Sequence, residues 1–395
     1  MLPRARAETA STPAKRPRYL VIMHLTGGPD GILTLDPKRR SEVAEWVENP
    51  LIKQNVESGN VTLGAHFAPL LPWATKMAIV RGVRVESVSH PSATWQMVRM
   101  RRRVNSNVPG ILDIIARHGN GQPLGPITVG NISDRQFTPT WFPNGKAKGS
   151  GRRVIEQGFE PLEAMDPEDL ASLARAMRKH AQDPSSRPAD RDGYAHVAAY
   201  LERAPQLTRF AAEDWKPIDE LSKTAKGLQR VLWSLENDLT PGAMVVGSNN
   251  SWDSHHSNMS TQAAMNAGFV ALFTRFLDQL QTRRNQHGRL ADHTTIVVSG
   301  ELGRFPRVNS LDGKDHYPEM PMLFMGAGIN TGSKGLVLGQ TDEEMSGVPL
   351  DPSTGKLTGT RYTTLDDIGT TLLRIFGIEP TQYGYQGRPL EPLMV

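Results

Sequence analysis

Short apolar runs recur along the chain, and most of them end at a glycine or a polar turn. The runs are rich in Val, Ile, Leu and Met, and they lack the strict apolar–polar alternation of a strand with one wet face. Uninterrupted runs of this length are typical of strands that are buried on both faces. We predict strands over residues 18–25, 77–80, 127–130, 243–246, 294–298 and 322–325.

Segments with helical periodicity lie between these runs. We predict helices that start near His90, that cover residues 111–118, 260–284 and 363–378, and that fill most of residues 161–239. The helix predicted over residues 260–284 carries an apolar stripe with Ala264, Ala267, Val270 and Phe273, which is typical of a helix packed on a core. Alternation of strands and helices without an internal repeat predicts an α/β fold, a doubly wound and mostly parallel sheet flanked by helices.

The chain has 395 residues, which is long enough to bury a large core. We expect residues 18–395 to form a single domain, in which residues 132–240 are a long loop and a helical insertion. Residues 1–17 are expected to be a disordered or leader-derived tail. The arginines that end the first helix, at positions 99 and 101–103, are expected to be solvated.

Composition excludes several classes of protein. The net charge is only +4, with 38% hydrophobic and 22% charged residues, which argues against nucleic acid as a partner. No apolar run approaches 18 residues, so we expect no transmembrane segment. The chain has no cysteine, which excludes disulfides, thiolate ligands and a cysteine nucleophile.

The N-terminal residues carry a pattern of export. Residues 5–7, Ala-Arg-Ala, have the small-x-small form of a signal-peptidase site, but no apolar segment precedes them. We therefore expect a periplasmic or extracellular protein whose leader is absent or trimmed.

Acidic residues follow two of the strongest predicted strands. Asp30 lies in a glycine-rich turn after the first strand, and Glu301 follows the run at residues 294–298. Open α/β sheets bind their ligands at the carboxyl ends of their strands, so both carboxylates are candidates for metal binding. A turn or helix-cap aspartate is the alternative interpretation of Asp30.

Two further stretches combine carboxylates with imidazoles. Asp253, His255 and His256 follow the strand at residues 243–246, and Asp315 and His316 follow Glu301 in the loop after its strand. Adjacent histidines rarely both face one ion, so one of His255 and His256 is expected to be a ligand and the other to support it. Solvated surface histidines are the alternative.

Ser89 precedes the helix that starts near His90. The free N–H groups and dipole of a helix N-terminus stabilise an oxyanion or a bound phosphate or sulfate, so Ser89 is a candidate nucleophile. An ordinary serine N-cap is the alternative.

Together these residues predict one or two divalent ions at one edge of the sheet. Without sulfur ligands the candidates are zinc, manganese, magnesium or calcium, and the carboxylates favour the harder ions.

The order of five motifs resembles the sulfatase-like branch of the alkaline phosphatase superfamily. Within that branch it is similar to a broad bacterial family, often exported by the twin-arginine route, whose members mostly lack an assigned function. The motifs are GGPDG at 27–31, Ser89-His90, WDSHH at 252–256, GELGR at 300–304 and GKDHYP at 313–318.

The resemblance implies an alkaline phosphatase-like fold and a role for each matching residue. Ser89 would be the nucleophile, with His90 and Arg304 as further catalytic residues. Asp30, Asp253, His255, His256, Glu301, Asp315 and His316 would form the metal site.

The predicted function is a metal-dependent hydrolase of small-molecule or glycan phosphate or sulfate esters, in which His90 or His255 moves protons. The alternative is an exported binding or assembly protein that keeps the fold, has lost catalysis and has a protein partner.

Overall fold

The computed structural model describes residues 17–47, 56–102, 109–119, 122, 125–129, 166–203, 223–247 and 251–395. The predicted tail, the long loop at 132–160 and residues 204–222 of the expected insertion thus lie largely or wholly outside the described residues. The strands in the described part are β1 (Tyr19–His24), β2 (Val56–Ser58), β3 (Val61–Leu63), β4 (Met77–Arg84), β5 (Ile127–Val129), β6 (Gly242–Val246), β7 (Arg284–Asn285), β8 (Gly288–Arg289), β9 (Thr294–Ser299), β10 (Gly303–Arg304), β11 (His316–Tyr317), β12 (Glu319–Gly326), β13 (Leu336–Leu338) and β14 (Thr363–Thr364).

An eight-stranded sheet forms the centre of the protein. Its strands lie in the order β13-β4-β12-β9-β1-β6-β5, and β14 also pairs with β4. Only β12 runs antiparallel to its neighbours β4 and β9, among the strands of this described sheet. The predicted α/β fold with a mostly parallel sheet is therefore confirmed, and each of the six predicted strands coincides with an observed one.

Helices cover the sheet. They are α1 (His90–Arg99), α2 (Ile111–Arg117), α3 (Pro167–Gln182), α4 (Pro188–Glu202), α5 (Lys223–Glu236), α6 (Asn258–Thr282) and α7 (Leu365–Ile375). A proline-containing 3-10 segment, Ala65–Lys76, precedes β4. Alternate residues of β1 feed two separate cores: Leu20 and Ile22 join one with α1, α2 and α7, and Val21 and Met23 join the other with α5 and α6. The period of two along a strand produces this three-layer arrangement.

The buried face of α6 differs from the predicted stripe. Ala264, Ala267 and Ala271 are exposed. The first half of the helix instead buries Asn258, Gln262 and Asn266. The prediction was wrong for this first half, because these polar side chains hydrogen-bond to the turns after β1 and β6, which an apolar stripe could not do. Val270 and Phe273, farther along the stripe, are buried as predicted.

The arginines at the end of α1 also differ from the prediction. Arg99 and Arg101 are buried, with 3% and 4% exposure. Arg101 donates to the Tyr383 and Gly384 carbonyl oxygens at 2.9 and 2.7 Å and stacks on the Tyr385 ring. It therefore attaches the end of α1 to the chain that follows α7, whereas a solvated end was expected.

The carboxyl ends of β1, β4, β6 and β9 all lie at one edge of the sheet, because these strands are mutually parallel. The chain leaves this edge toward Asp30, Ser89, Asp253 and Glu301, respectively. The gathering of these residues at one edge follows from the strand directions alone.

Candidate metal centre

Asp253 lies at the centre of a cluster of three imidazoles. Its Oδ1 is 3.2 Å from His255 Nε2 and 3.2 Å from His316 Nε2, and its Oδ2 is 3.2 Å from His90 Nε2. His255 Nε2 and His316 Nε2 are themselves 2.9 Å apart. The four side chains come from the start of α1, the loop after β6 and strand β11, so only the fold brings them together.

Each of the three imidazoles is oriented by an acceptor on its other ring nitrogen. His90 Nδ1 lies 2.7 Å from Glu301 Oε1, His255 Nδ1 lies 3.1 Å from Asp315 Oδ1, and His316 Nδ1 lies 2.6 Å from the Val88 carbonyl oxygen. Because these oxygens only accept, a neutral ring that donates to them carries its proton on Nδ1 and presents the lone pair of Nε2. All three lone pairs therefore belong to the nitrogens that face Asp253.

Arg304 holds Asp253 in place. Its side chain is fully buried, and its Nη2 donates to Asp253 Oδ1 at 2.6 Å and to the Gly27 carbonyl. The remaining guanidinium nitrogens donate to the carbonyls of Gly28 and Lys314. Partial burial favours a higher pKa for Asp253, but the hydrogen bond and charge of Arg304 outweigh burial and lower that pKa. Asp253 is thus kept ionised.

Glu301 contacts the outer nitrogen of His90 and lies on the side away from Asp253. It is 1% exposed, and its Oε1 accepts from the Gly27 backbone N–H at 2.9 Å as well as from His90. Burial favours a higher pKa for Glu301, but the hydrogen bonds from His90 and the Gly27 N–H and the two nearby imidazoles together outweigh burial and lower the pKa. The hydrogen bond between His90 and Glu301 raises the pKa of His90.

His24, at the end of β1, lies against the other oxygen of Glu301. The His24 ring is completely buried, and its Nε2 is 3.6 Å from Glu301 Oε2. Burial lowers the pKa of His24, which keeps the ring neutral. Within the described residues, neither nitrogen of His24 completes a well-directed hydrogen bond. Glu301 Oε2 completes none either, and His24 is the residue that lies against it.

Asp30 forms a separate buried network at the same edge. Its Oδ2 accepts from Lys314 Nζ at 2.7 Å and from Asn258 Nδ2 at 3.0 Å, and its backbone N–H donates to Gln262. Lys314 and Asp30 are 3% and 1% exposed. The predicted ligand is therefore paired with a lysine, and its oxygens do not face the imidazole cluster.

The remaining predicted residues lie at the rim. His256 is exposed and forms an isolated backbone bridge with Asp312, while its neighbour His255 belongs to the cluster. Ser89 is exposed at the N-cap of α1, and its hydroxyl makes no capping hydrogen bond. Its two chain neighbours both contact the cluster, through the Val88 carbonyl and the His90 ring.

The donor atoms fit a divalent cation. His90, Asp253 and His316 each offer one ligand atom, and these atoms lie within 4.8 Å of one another. The 2.9–3.2 Å separations among Asp253 Oδ1, His255 Nε2 and His316 Nε2 are close to the roughly 3.3 Å between ligands of a tetrahedral ion with bonds of about 2.0–2.1 Å. His90 Nε2 is buried 3.2 Å from Asp253 Oδ2 and completes no well-directed hydrogen bond in the described part of the chain, so it can serve as a donor atom. Outer partners on each Nδ1 are the usual support of metal-binding histidines.

The sequence favours a packed core histidine at His24, and it gives no role to Lys314 and Asn258. His24 had a usable signal for more than packing, because it is the one imidazole in a strand of aliphatic and aromatic residues, YLVIMH. Lys314 and Asn258 had none, since a lysine in a loop and an asparagine at a helix start are both ordinary on a surface.

Sequence comparison finds one family match. Residues 237–392 match the model of a protein family of unknown function, DUF1501, which is less than half of the chain. No curated protein matches the chain.

Three of the solved structures that resemble this chain do so at very low sequence identity. The phosphonate monoester hydrolase of Silicibacter pomeroyi shares 12% identity over 95% of this chain and 76% of its own, with a TM-score of 0.41. A mutant TAB5 alkaline phosphatase with magnesium bound in its M3 site shares 9% identity over 93% and 99%, with a TM-score of 0.39. A protein in complex with its substrate D-glucosamine-2-N,6-O-disulfate shares 12% identity over 96% and 80%, with a TM-score of 0.38.

The family match and the cluster overlap only in part. Asp253, His255, Glu301 and His316 lie within the matched residues, whereas Ser89 and His90 precede them. The chemistry of the site must therefore be argued from its own geometry.

Proposed function

We propose that this chain is a metal-dependent hydrolase of phosphate or sulfate esters. One observation carries the proposal: three imidazoles, each fixed by an acceptor on Nδ1, direct Nε2 toward one ionised carboxylate at the ligand-binding edge of an α/β sheet. Membership in the sulfatase-like branch of the alkaline phosphatase superfamily is part of this proposal, since it is a resemblance of motifs.

Asp253, His90 and His316, whose donor atoms lie within 4.8 Å of one another, would hold the ion, and His255 Nε2, 2.9 Å from His316 Nε2, would be a further donor. Three nitrogens and one carboxylate favour zinc or manganese over magnesium and calcium, which prefer all-oxygen sites. When bound, the ion would neutralise charge on the ester and lower the pKa of a nearby hydroxyl. His90 is proposed as a ligand rather than a proton carrier, because its Nδ1 is committed to buried Glu301 and its Nε2 faces Asp253.

Ser89 is the proposed nucleophile. Its exposed hydroxyl is not used as a helix cap, and the residues on both sides of it are tied to the cluster. Attack by Ser89 Oγ, with its proton passed to water, would form a bond to phosphorus or sulfur while the bond to the leaving oxygen breaks and that oxygen takes up a proton from water. A second water molecule would then cleave the ester on Ser89, releasing phosphate or sulfate and restoring the serine. The backbone N–H groups of His90 and Ser92 would bind the ester oxygens at the positive end of α1, where Pro91 has no N–H and the Ala93 N–H donates to the Ser89 carbonyl.

Arg304 is proposed to position Asp253 and the turn at residues 27–28, since it is buried and donates to the Asp253 carboxylate and three carbonyls.

Among the described residues, no helix is both long enough and apolar enough to cross a membrane. Export remains a prediction from residues 5–7, and sequencing the N-terminus of the natively produced protein would test it.

Metal loading joined to turnover tests the function. Metal-free protein is dialysed separately against zinc, manganese, magnesium and calcium, and bound metal and hydrolysis of aryl phosphates and sulfates are measured. We expect about one zinc or manganese ion per chain, and Ser89→Ala should lower kcat/KM at least about a thousand-fold without loss of the ion.

The matched control is Ser260→Ala, which removes an exposed serine from the first turn of α6 and should leave turnover unchanged. Failure of wild-type protein to bind any of the four ions would overturn the proposal. Tight binding without turnover of either ester would favour the non-catalytic binding protein.

A further inference from the structure

His24 is a polar residue in a place where the chain otherwise supplies only apolar side chains. Leu20 and Ile22 belong to the core that includes α1, and the alternation of β1 directs His24 to that same face, below the start of α1. The ring is fully buried, and its Nε2 lies 3.6 Å from Glu301 Oε2. Glu301 Oε1 in turn is 2.7 Å from His90 Nδ1.

Burial makes this position costly unless the ring has a partner. A buried donor or acceptor without a hydrogen bond is unfavourable. Within the described residues neither His24 nitrogen nor Glu301 Oε2 completes a well-directed one, although the Ser299 backbone lies near enough to the His24 ring to act against the effect of burial on its pKa. An aliphatic residue would fill the same space at no such cost. A packed core histidine, the interpretation that the sequence favours, accounts for the burial but leaves the facing carboxylate oxygen unexplained.

We propose that His24 is a positioning residue of the metal centre, forming a relay His24–Glu301–His90. In this relay His24 carries its proton on Nε2 and shares it with Glu301 Oε2. The carboxylate is thereby held with Oε1 on His90 Nδ1 and on the Gly27 N–H. His90 then keeps its proton on Nδ1 and leaves Nε2 free to bind an ion. The relay rests on the proposed metal site. In it, Glu301 supports the ligand His90, and His24 supports Glu301.

The wild-type protein provides the first test. Long-range ¹H–¹⁵N spectra of the metal-free protein at pH 8 show which nitrogen of each neutral imidazole carries the proton, and the spectrum of His24→Gln assigns the His24 signals among the eleven histidines. We expect the proton of His24 on Nε2 and that of His90 on Nδ1. A His24 proton on Nδ1 would overturn the relay, because Nε2 would then have nothing to donate.

Two substitutions supply the second test. His24→Leu keeps the volume and removes the donor, whereas the amide nitrogen of His24→Gln replaces Nε2. We expect zinc affinity to fall about 10-fold in His24→Leu, the lower end of the effect of losing an outer partner of a ligand. Affinity should stay near wild type in His24→Gln and in Met23→Leu, a control on the opposite face of β1.

Equal zinc affinity in His24→Leu and His24→Gln would overturn the relay. If His24→Leu does not fold, the wild-type spectra and the affinity of His24→Gln decide. If wild-type protein binds no zinc, the proposed function fails, but the two protonation sites still confirm or refute the relay.

Discussion

At the scale of single residues, the neighbours His255 and His256 lie in different environments, one inside the imidazole cluster and the other exposed outside it. His255 Nε2 faces Asp253 and His316, and its Nδ1 is held by Asp315. The hydrogen bond of His255 lowers the pKa of Asp315, which keeps that carboxylate an acceptor. His256 is exposed and lies outside the cluster. The sequence predicts that one of the pair is a ligand, and the structure favours His255.

His255→Ala should weaken zinc binding more than His256→Ala. Loss of a ligand should cost at least the roughly 10–100-fold that loss of an outer partner costs, whereas loss of exposed His256 should cost little. Isothermal titration of both variants with zinc, beside wild type, measures the difference. Equal affinities in the two variants would show that His255 does not hold the ion.

At the scale of elements, the reversed direction of β12 places its first residue at the site edge. Glu319 pairs in register with Arg84 at the end of β4, and the two side chains approach to only 3.8 Å. Glu319 is 7% exposed and its Oε2 has no hydrogen bond in the described part of the protein. Burial raises the pKa of Glu319 to about 7, from an ordinary value of 4.5.

This raised pKa predicts a pH dependence of stability that Glu319→Gln removes. Between pH 4.5 and about 7 the folded state keeps a proton that the unfolded state has lost, so the free energy of unfolding falls as pH rises and then levels off. The loss should reach at most about 3 kcal/mol. Urea unfolding of metal-free wild type and Glu319→Gln from pH 4.5 to 8 should show the variant gaining stability relative to wild type as pH rises.

Glu45→Gln, at an exposed glutamate, is the matched control and should follow the wild-type profile. Parallel profiles for wild type and Glu319→Gln would show that Glu319 ionises in the folded state as it does in the unfolded chain.

At the scale of the whole molecule, the site edge is also where distant parts of the chain are joined. The Lys314–Asp30 ion pair links residues 284 positions apart, and Asn258 adds the start of α6 to the same carboxylate. Arg304 joins the turn after β1 to the loop after β6 through Gly27 and Asp253. The turns around the centre are therefore held together by charged side chains, Lys314 with Asp30 and Arg304 with Asp253.

Lys314→Met should destabilise the protein strongly, because it leaves Asp30 buried without its cation. Breaking one side of a buried pair costs about 3–5 kcal/mol, and removing both charges in Asp30→Asn/Lys314→Met should recover part of this. Urea unfolding measures both variants, with Lys334→Met at an exposed lysine as the control. A Lys314→Met variant as stable as Lys334→Met would contradict the prediction.

The sequence by itself predicted six strands of the central sheet, its mostly parallel arrangement and candidate site residues after the strand ends. Buried strands need continuous apolar runs, such as residues 294–298, and parallel strands bring their carboxyl ends to one side. Those rules place a residue near the edge without specifying the direction of its side chain.

Only the tertiary structure decided what each side chain contacts. His90 meets Glu301 across 211 residues, and Asp30 meets Lys314 across 284. A hydrogen bond or metal contact requires atoms within about 3 Å and a defined direction. Local pattern contains neither, so the partner of Asp30, the fixed nitrogens of the imidazoles and the place of His24 behind Glu301 arise only when the sheet and α1 pack together.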